Sequence, residues 1–223
     1  MAQVASSKES LSQALHNKII PNQEYLLQGS IIASAVDHLI HRYYGAANMF
    51  KLRGLCDNVE NVPETFHDLE VCMSMRQPNQ VPLQVRVRRA LDRDVPFQLR
   101  YIGQPELDRS RPTLVRSSID VGCTSTVLEF LNELGCRVDF EYVSQGFLFR
   151  KGRMKITVAK IFKITPGKQH DSEPVCNSYL VELSVLAPNG QDAIGDEMRI
   201  FAEQLKPLVH LEKIDYKRLG NIP

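Results

Sequence analysis

The chain has no tryptophan, an absence with no functional consequence. More telling is what its motifs omit. No Gly-x-x-x-x-Gly-Lys-Ser/Thr and no Gly-x-Gly-x-x-Gly string occurs, so neither common backbone cradle for nucleotide phosphates is encoded. His-Glu-x-x-His is absent too, which removes the usual helical zinc-protease site. The five cysteines, Cys56, Cys72, Cys123, Cys136 and Cys176, are odd in number and never form a Cys-x-x-Cys pair. That argues against a secreted disulfide framework and against a zinc ribbon. No Asn-x-Ser/Thr acceptor is present, and the cysteines read as reduced thiols of the cytosol or nucleus. Long apolar runs are missing as well. Met1 to Gln23 contains no apolar h-region, so no signal peptide is expected. Ile156 to Ile164 is broken by Lys160 and Lys163 and falls far short of the roughly 20 residues that cross a bilayer. A net charge of +1 excludes a bulk basic field for nucleic acid, while leaving room for a local patch.

What is present is enough apolar material for a real core, 43% of 223 residues, in a pattern that changes period along the chain. Residues 1–22, with four serines and an ending at Pro21, read as a mobile tail; Leu11, Leu15 and Ile19 are spaced for a weak amphipathic helix. Glu24 to Ser30 reads as a first strand. Ile32, Val36, Leu39 and Ile40 then lie on one helical stripe, which Tyr43 to Lys51 interrupts. From Leu69 onward the period becomes 2: Leu69, Val71 and Met73, then Leu83, Val85 and Val87, then Phe97, Leu99 and Tyr101, then Val115, Ser117, Ile119 and Val121. Pro78, Pro82, Pro96 and Pro112 punctuate these runs. Thr126 and Glu129 are spaced as a capping box for a helix that buries Val127, Phe130, Leu131 and Leu134, with Gly135 at its left-handed stop. Further strands follow at Cys136 to Tyr142, at Phe147 to Ile164 around a Lys151-Gly152 hairpin turn, and at Tyr179 to Val185; Pro166 to Asn177 reads as a loop. A last helix, Asp192 to Lys206, turns Ile194, Met198, Phe201 and Leu205 inward, and Val209, Leu211 and Ile214 suggest a final short strand. The sum is a mainly β (α+β) chain of about eight or nine antiparallel strands with flanking helices. Residues 23–215 form a single domain, with 216–223 as a C-terminal tail.

Several clusters invite chemistry. His38 and His41, at i,i+3, would offer two metal ligands, but no carboxylate or cysteine accompanies them, and a structural histidine pair is the preferred reading. Asp139 and Glu141 share one strand face, as paired carboxylates for a cation or proton would; any strand with one aqueous face does the same. No metal site, cofactor site or catalytic residue is therefore assigned. Arg86, Arg88, Arg100, Arg116, Arg137 and Lys155 fall on the polar alternates of successive strands. Pointing into a barrel they would make an anion site, because the guanidinium fork matches phosphate. Pointing outward they would be a solvated face shared with Glu70, Asp120 and Glu182, which is the expected arrangement. Arg150 to Lys155 is a basic cluster suited to a nuclear address or an RNA contact, and its glycine marks it as an exposed hairpin tip. Phe147 and Phe149 flank Leu148, so this strand is apolar on both faces; it is either buried twice or covered by a partner, and both phenylalanines are candidate partner contacts.

Long strings in order carry a family resemblance. EYLLQGS (Glu24–Ser30), LIHR (Leu39–Arg42), LRGLCDN (Leu52–Asn58), PETF (Pro63–Phe66), LRYIGQPE (Leu99–Glu106), FLFRKG (Phe147–Gly152), MKI (Met154–Ile156), YLVELSV (Tyr179–Val185) and FAEQLKPLVHLEKID (Phe201–Asp215) resemble the Mediator subunit 18 family. Against that family's pattern, residues 43–51 look inserted and the N-terminal tail is unmatched. The resemblance implies an antiparallel barrel similar to that of the triphosphate tunnel enzymes. It also implies a non-enzymatic, nuclear subunit of the Mediator head module, without cofactor. Pairing with subunit 20, capture of a C-terminal helix of subunit 8, and a bridge between regulators and RNA polymerase II complete what it implies. The rival reading is a metal-dependent tunnel enzyme that binds or hydrolyses triphosphate. Such enzymes use a Glu-x-Glu-x-Lys strand, and here Asp139-x-Glu141-x-Val143 lacks the cation.

Overall fold

A computed structural model describes residues 21–40, 52–57, 63–76, 78, 82–106, 108, 110–164 and 173–214. The tail at residues 1–20, the insertion at 43–51 and the C-terminal tail at 216–223 lie outside the described residues, as does most of the 166–177 loop. The strands are β1 (Asn22–Ile32), β2 (Glu64–Met75), β3 (Leu83–Ala90), β4 (Phe97–Ile102), β5 (Leu114–Cys123), β6 (Arg137–Lys151), β7 (Met154–Lys163), β8 (Glu173–Pro174) and β9 (Ser178–Ala187). The helices are α1 (Ala33–Ile40), α2 (Leu52–Leu55), α3 (Val127–Glu133) and α4 (Ala193–Gln204).

Neighbouring strands run antiparallel in the order β6-β2-β3-β4-β5-β1-β9-β7, and β7 pairs back onto β6. The sheet therefore closes into an eight-stranded barrel, which removes every free edge except the two-residue β8 on β7. Closure depends on the β6–β7 hairpin: Lys151 pairs with Met154 across a turn in which Gly152 has φ +54°, a conformation that costs glycine nothing.

The core lies outside the barrel. Tyr25 and Leu27 of β1, Phe149 of β6, Ile156 and Val158 of β7, and Val181, Leu183 and Val185 of β9 face outward. They are covered by Leu39 and Ile40 of α1, Leu52 of α2, and Ile194, Met198 and Phe201 of α4. Burying each such side chain contributes roughly 1.5–3 kcal/mol, so the helices on this wall are tied to it firmly. A second, smaller cluster joins Val71 and Met73 of β2 and Val85 and Val87 of β3 to Val127 and Leu131 of α3 and to Cys136. Because helices cover the outer wall, its apolar alternates point out and most polar alternates are left to line the interior.

Local details depart from the sequence pattern in three places. Thr126 caps α3 by position but makes no side-chain capping bond; its hydroxyl pairs with that of Thr124 at 2.8 Å, so the capping box does not form. Phe130 and Leu134, expected inward, are 59% and 52% exposed, since α3 packs on the barrel through Val127 and Leu131, with Leu128 beside them. Among the described residues after α4 there is no final strand. Instead Gln28 and Glu212 exchange backbone hydrogen bonds of 3.0 and 2.9 Å, with Val209 and Leu211 buried. This crossing needs Gly29: a Cβ there would lie 2.2 Å from the His210 carbonyl oxygen. Gly29→Ala is expected to lower the unfolding free energy by about 1–3 kcal/mol, read as a lower urea midpoint at unchanged slope. A wild-type midpoint would show that residues 209–212 are free to shift.

Candidate functional site: the charged lumen

The barrel encloses a lumen of about 1460 Å³ whose lining includes Glu24, Asp68, Glu70, Arg86, Arg88, Arg100, Arg116, Lys155 and Glu182. The arginine band thus points inward, opposite to the outward placement expected from sequence. The physical reason is the helical cover: on β1, β3, β5, β7 and β9 the apolar alternates are already committed to the outer wall. Arg137 is the exception. It donates to the backbone and side-chain oxygens of Asn132 at 3.1 and 2.8 Å and so stays with α3. On this part of β6, Val138, Phe140 and Tyr142 line the lumen instead.

Strand register explains how so much charge is tolerated. Arg116 stands directly opposite Glu24 across β5–β1 and donates to it at 2.6 Å. Arg100 stands opposite Asp120 across β4–β5, with bonds of 2.6 and 2.9 Å, and also reaches Glu24 at 3.4 Å. Arg88 stands opposite Glu70 across β3–β2, bonded at 2.5 Å, with Asp68 at 3.7 Å. Gln28 donates to Glu182 at 2.5 Å across β1–β9. Cross-strand opposite charges are the sheet's normal device for stabilising such a face, and here they recur round the inside of a closed barrel. Burial pushes the Asp68 carboxyl upward, with Arg88 opposing. Burial likewise pushes the Tyr142 phenol up, with Glu70 adding to it. Lys155 is held below the ordinary lysine range by burial and by its neighbours Arg88 and Arg100. Glu24 and Asp68 had no motif of their own; only the register of Glu24 against Arg116 and the diagonal approach of Arg88 to Asp68 would have found them.

The other candidates resolve differently. Asp139 accepts from Ser74 at 2.9 Å and Arg76 at 3.3 Å, while Glu141 is exposed. His38 is exposed on α1, His41 lies outside the described residues, and no group of three metal-ligating side chains occurs among the described residues. The basic hairpin tip is engaged within the chain: the Gly152 N–H and the Lys151 ammonium donate to Asp57 at 2.7 and 3.1 Å, and Arg153 donates to Gln191 at 2.7 Å. Of the two phenylalanines singled out as candidate partner contacts, Phe149 is fully buried in the outer core and Phe147 is half-buried and packs against that cluster, while Leu148 lines the lumen.

Two measurements follow. Arg116→Met leaves Glu24 buried with only its longer contact to Arg100, and is expected to cost about 3 kcal/mol. The double variant Glu24→Gln/Arg116→Met should recover part of that loss, and strictly additive values in a double-mutant cycle would refute the pairing. Cys56, beside Asp57, has its thiol pushed up to about 12, first by burial and then by the Asp57 charge, with Lys151 opposing. At pH 8 its alkylation should run about a thousandfold slower than that of an ordinary thiol. Exposed Cys176 serves as the internal reference. With a folded value above the unfolded one, the Cys56 contribution to stability is fully present below pH 9 and is lost as pH rises towards 12. Equal alkylation rates for the two thiols would contradict this.

Comparison with known proteins places this barrel in a family. The family model described as Med18 protein matches residues 23–220. The Mediator of RNA polymerase II transcription subunit 18 of Drosophila melanogaster is 64% identical over 226 residues, covering 100% of both chains. That of Danio rerio is 51% identical over 199 residues, covering 88% of this chain and 90% of the relative. Among solved structures, a chain of the Schizosaccharomyces pombe Mediator head module superposes with a TM-score of 0.62 at 16% identity, covering 86% of this chain and 98% of that one. A protein of Pyrococcus horikoshii does so with a TM-score of 0.54 at 16% identity, covering 88% and 97%. The structural likenesses speak for the barrel, and the matched family model together with the sequence identities shows that the chain belongs to the Mediator subunit 18 family.

Proposed function

We propose that this chain is a non-enzymatic subunit of the Mediator head module, in the nucleus, that bridges regulators to RNA polymerase II through protein–protein contacts. Pairing with subunit 20 and capture of the C-terminal helix of subunit 8 are its specific associations. Membership of the family and the likeness to a head-module chain support this reading. The observation that carries the contact surface is on α3. Phe130 and Leu134, one helical turn apart, present adjacent apolar side chains to solvent, 59% and 52% exposed, while Val127 and Leu131 anchor the short helix against Val71, Met73, Val85 and Val87 of β2 and β3. A rigid, exposed aromatic beside an aliphatic is the composition of an interface anchor.

Metal-dependent triphosphate hydrolysis is not favoured. The lumen carboxylates Glu24 and Glu70 are held by arginine and Glu182 by Gln28, rather than converging on one point. Co-expression with subunit 20 and the subunit 8 C-terminal segment should give one co-eluting complex on gel filtration. Phe130→Asp with Leu134→Asp should weaken that complex at least tenfold while leaving stability within about 0.5 kcal/mol, as surface changes do. Association unaffected by the pair would remove α3 as the contact, and failure of the folded wild-type chain to associate would overturn the proposal itself.

A further inference from the structure

The helical cover of the barrel's outer wall thins out at β4 and β5. Gln98, Arg100 and Gly122 line the lumen, so the alternate residues Leu99, Tyr101, Ile119 and Val121 face outward. Register sets them directly opposite each other, Leu99 against Val121 and Tyr101 against Ile119. An apolar sheet face of this kind is normally packed against a further layer. Here Leu99 reaches the margin of the α3 cluster, whereas Tyr101, Ile119 and Val121 belong to neither apolar cluster, and Val121 is 48% exposed. The same strip has an open backbone edge. β5 pairs with β1 only from Leu114 to Ser118, so Ile119 to Cys123 meet no described strand on that side. Natural sheets cover such an edge with a loop or a helix.

We propose that the chain's own N-terminal segment, residues 6–20, docks on this strip as an amphipathic helix and completes the cover. Its starting point follows from the sheet. The β1–β5 ladder ends at Asn22 opposite Ser118, and Pro21 has no N–H with which to extend it. The residues before Pro21 therefore set out beside Ile119, and the strip from Ile119 to Cys123 lies straight ahead of them. The pattern fits as well. Leu11, Leu15 and Ile19 recur every four residues as one apolar stripe, Ser6 and Glu9 have capping-box spacing, and Pro21 stands just past the end. So does the size: residues 6–20 as a helix span about 22 Å, and the strand β4 about 20 Å. A partner with the same stripe would have to come from solution. This segment is tethered at the strip's own margin, at the high effective concentration that a short linker gives. The role is independent of the partner contacts proposed for α3.

Because the chain has no tryptophan, one introduced residue reports the surroundings of this segment. In the full chain, Leu15→Trp should emit to the blue of Gln13→Trp, which falls on the opposite side of the same helix, and should be quenched by acrylamide about threefold less. Adding Val121→Asp to Leu15→Trp should abolish that difference while the circular dichroism spectrum stays unchanged, which separates undocking from misfolding. The protection should persist over about a hundredfold dilution, as a contact within one chain does. In the tryptophan-free chain, Leu11→Asp with Leu15→Asp should speed hydrogen exchange of Ile119 to Cys123 about tenfold and leave α3 as it was. The proposal is overturned by equal quenching of the two tryptophans, by protection that survives Val121→Asp, or by exchange at Ile119 to Cys123 that the paired Asp substitutions do not change. Protection lost on dilution would overturn it in favour of a second copy as the occupant, and protection gained only with subunit 20 present would overturn it in favour of a partner.

Discussion

Cross-strand pairing of arginine with carboxylate is the constraint on which this barrel depends. A closed eight-stranded sheet whose outer wall is occupied by helices must put its polar alternates somewhere, and the lumen is the place left. Guanidinium groups there survive because register sets Glu24, Glu70 and Asp120 opposite Arg116, Arg88 and Arg100. Shifting any one of these strands by one residue would send the charges into the outer core and the aliphatics into the lumen. The ion pairs therefore act as a register device as much as a source of stability, since a buried pair by itself is weak evidence of net stabilisation.

The outer core and the lumen are two sides of one decision. Val181, Leu183 and Val185 of β9 bind the barrel to α1, α2 and α4, and the intervening Leu180, Glu182 and Ser184 face inside. The hairpin of β6 and β7 then closes the cylinder, and Asp57 fastens its tip by accepting from Lys151 and Gly152. A basic string that resembles a nucleic-acid contact in one dimension is in three dimensions a latch between the hairpin and the segment after α2. What the cover does not reach is the outer face of α3, the surface proposed for partners.

The family to which the chain belongs is consistent with this division of labour. A barrel whose carboxylates are mostly spent on its own arginines is built to hold its shape, and a scaffold subunit needs rigid surfaces more than a reactive centre. The exposed apolar pair on α3 sits on a helix anchored at Val127 and Leu131, so a partner would meet a preorganised surface and would not have to order it.

The sequence by itself determined the strands, their alternation, α4 with its inward Ile194, Met198, Phe201 and Leu205, and the glycines at positive φ that end α3 and turn the β6–β7 hairpin. These are readable because period and turn chemistry are local. The inward direction of the arginine band was not, since alternation says which residues share a face and never which face is covered. Only the closed sheet and its helices decided that, and the same packing put Phe149 in the core and Phe130 on the surface. Glu24 and Arg116, 92 positions apart, became partners only when β1 and β5 came into register.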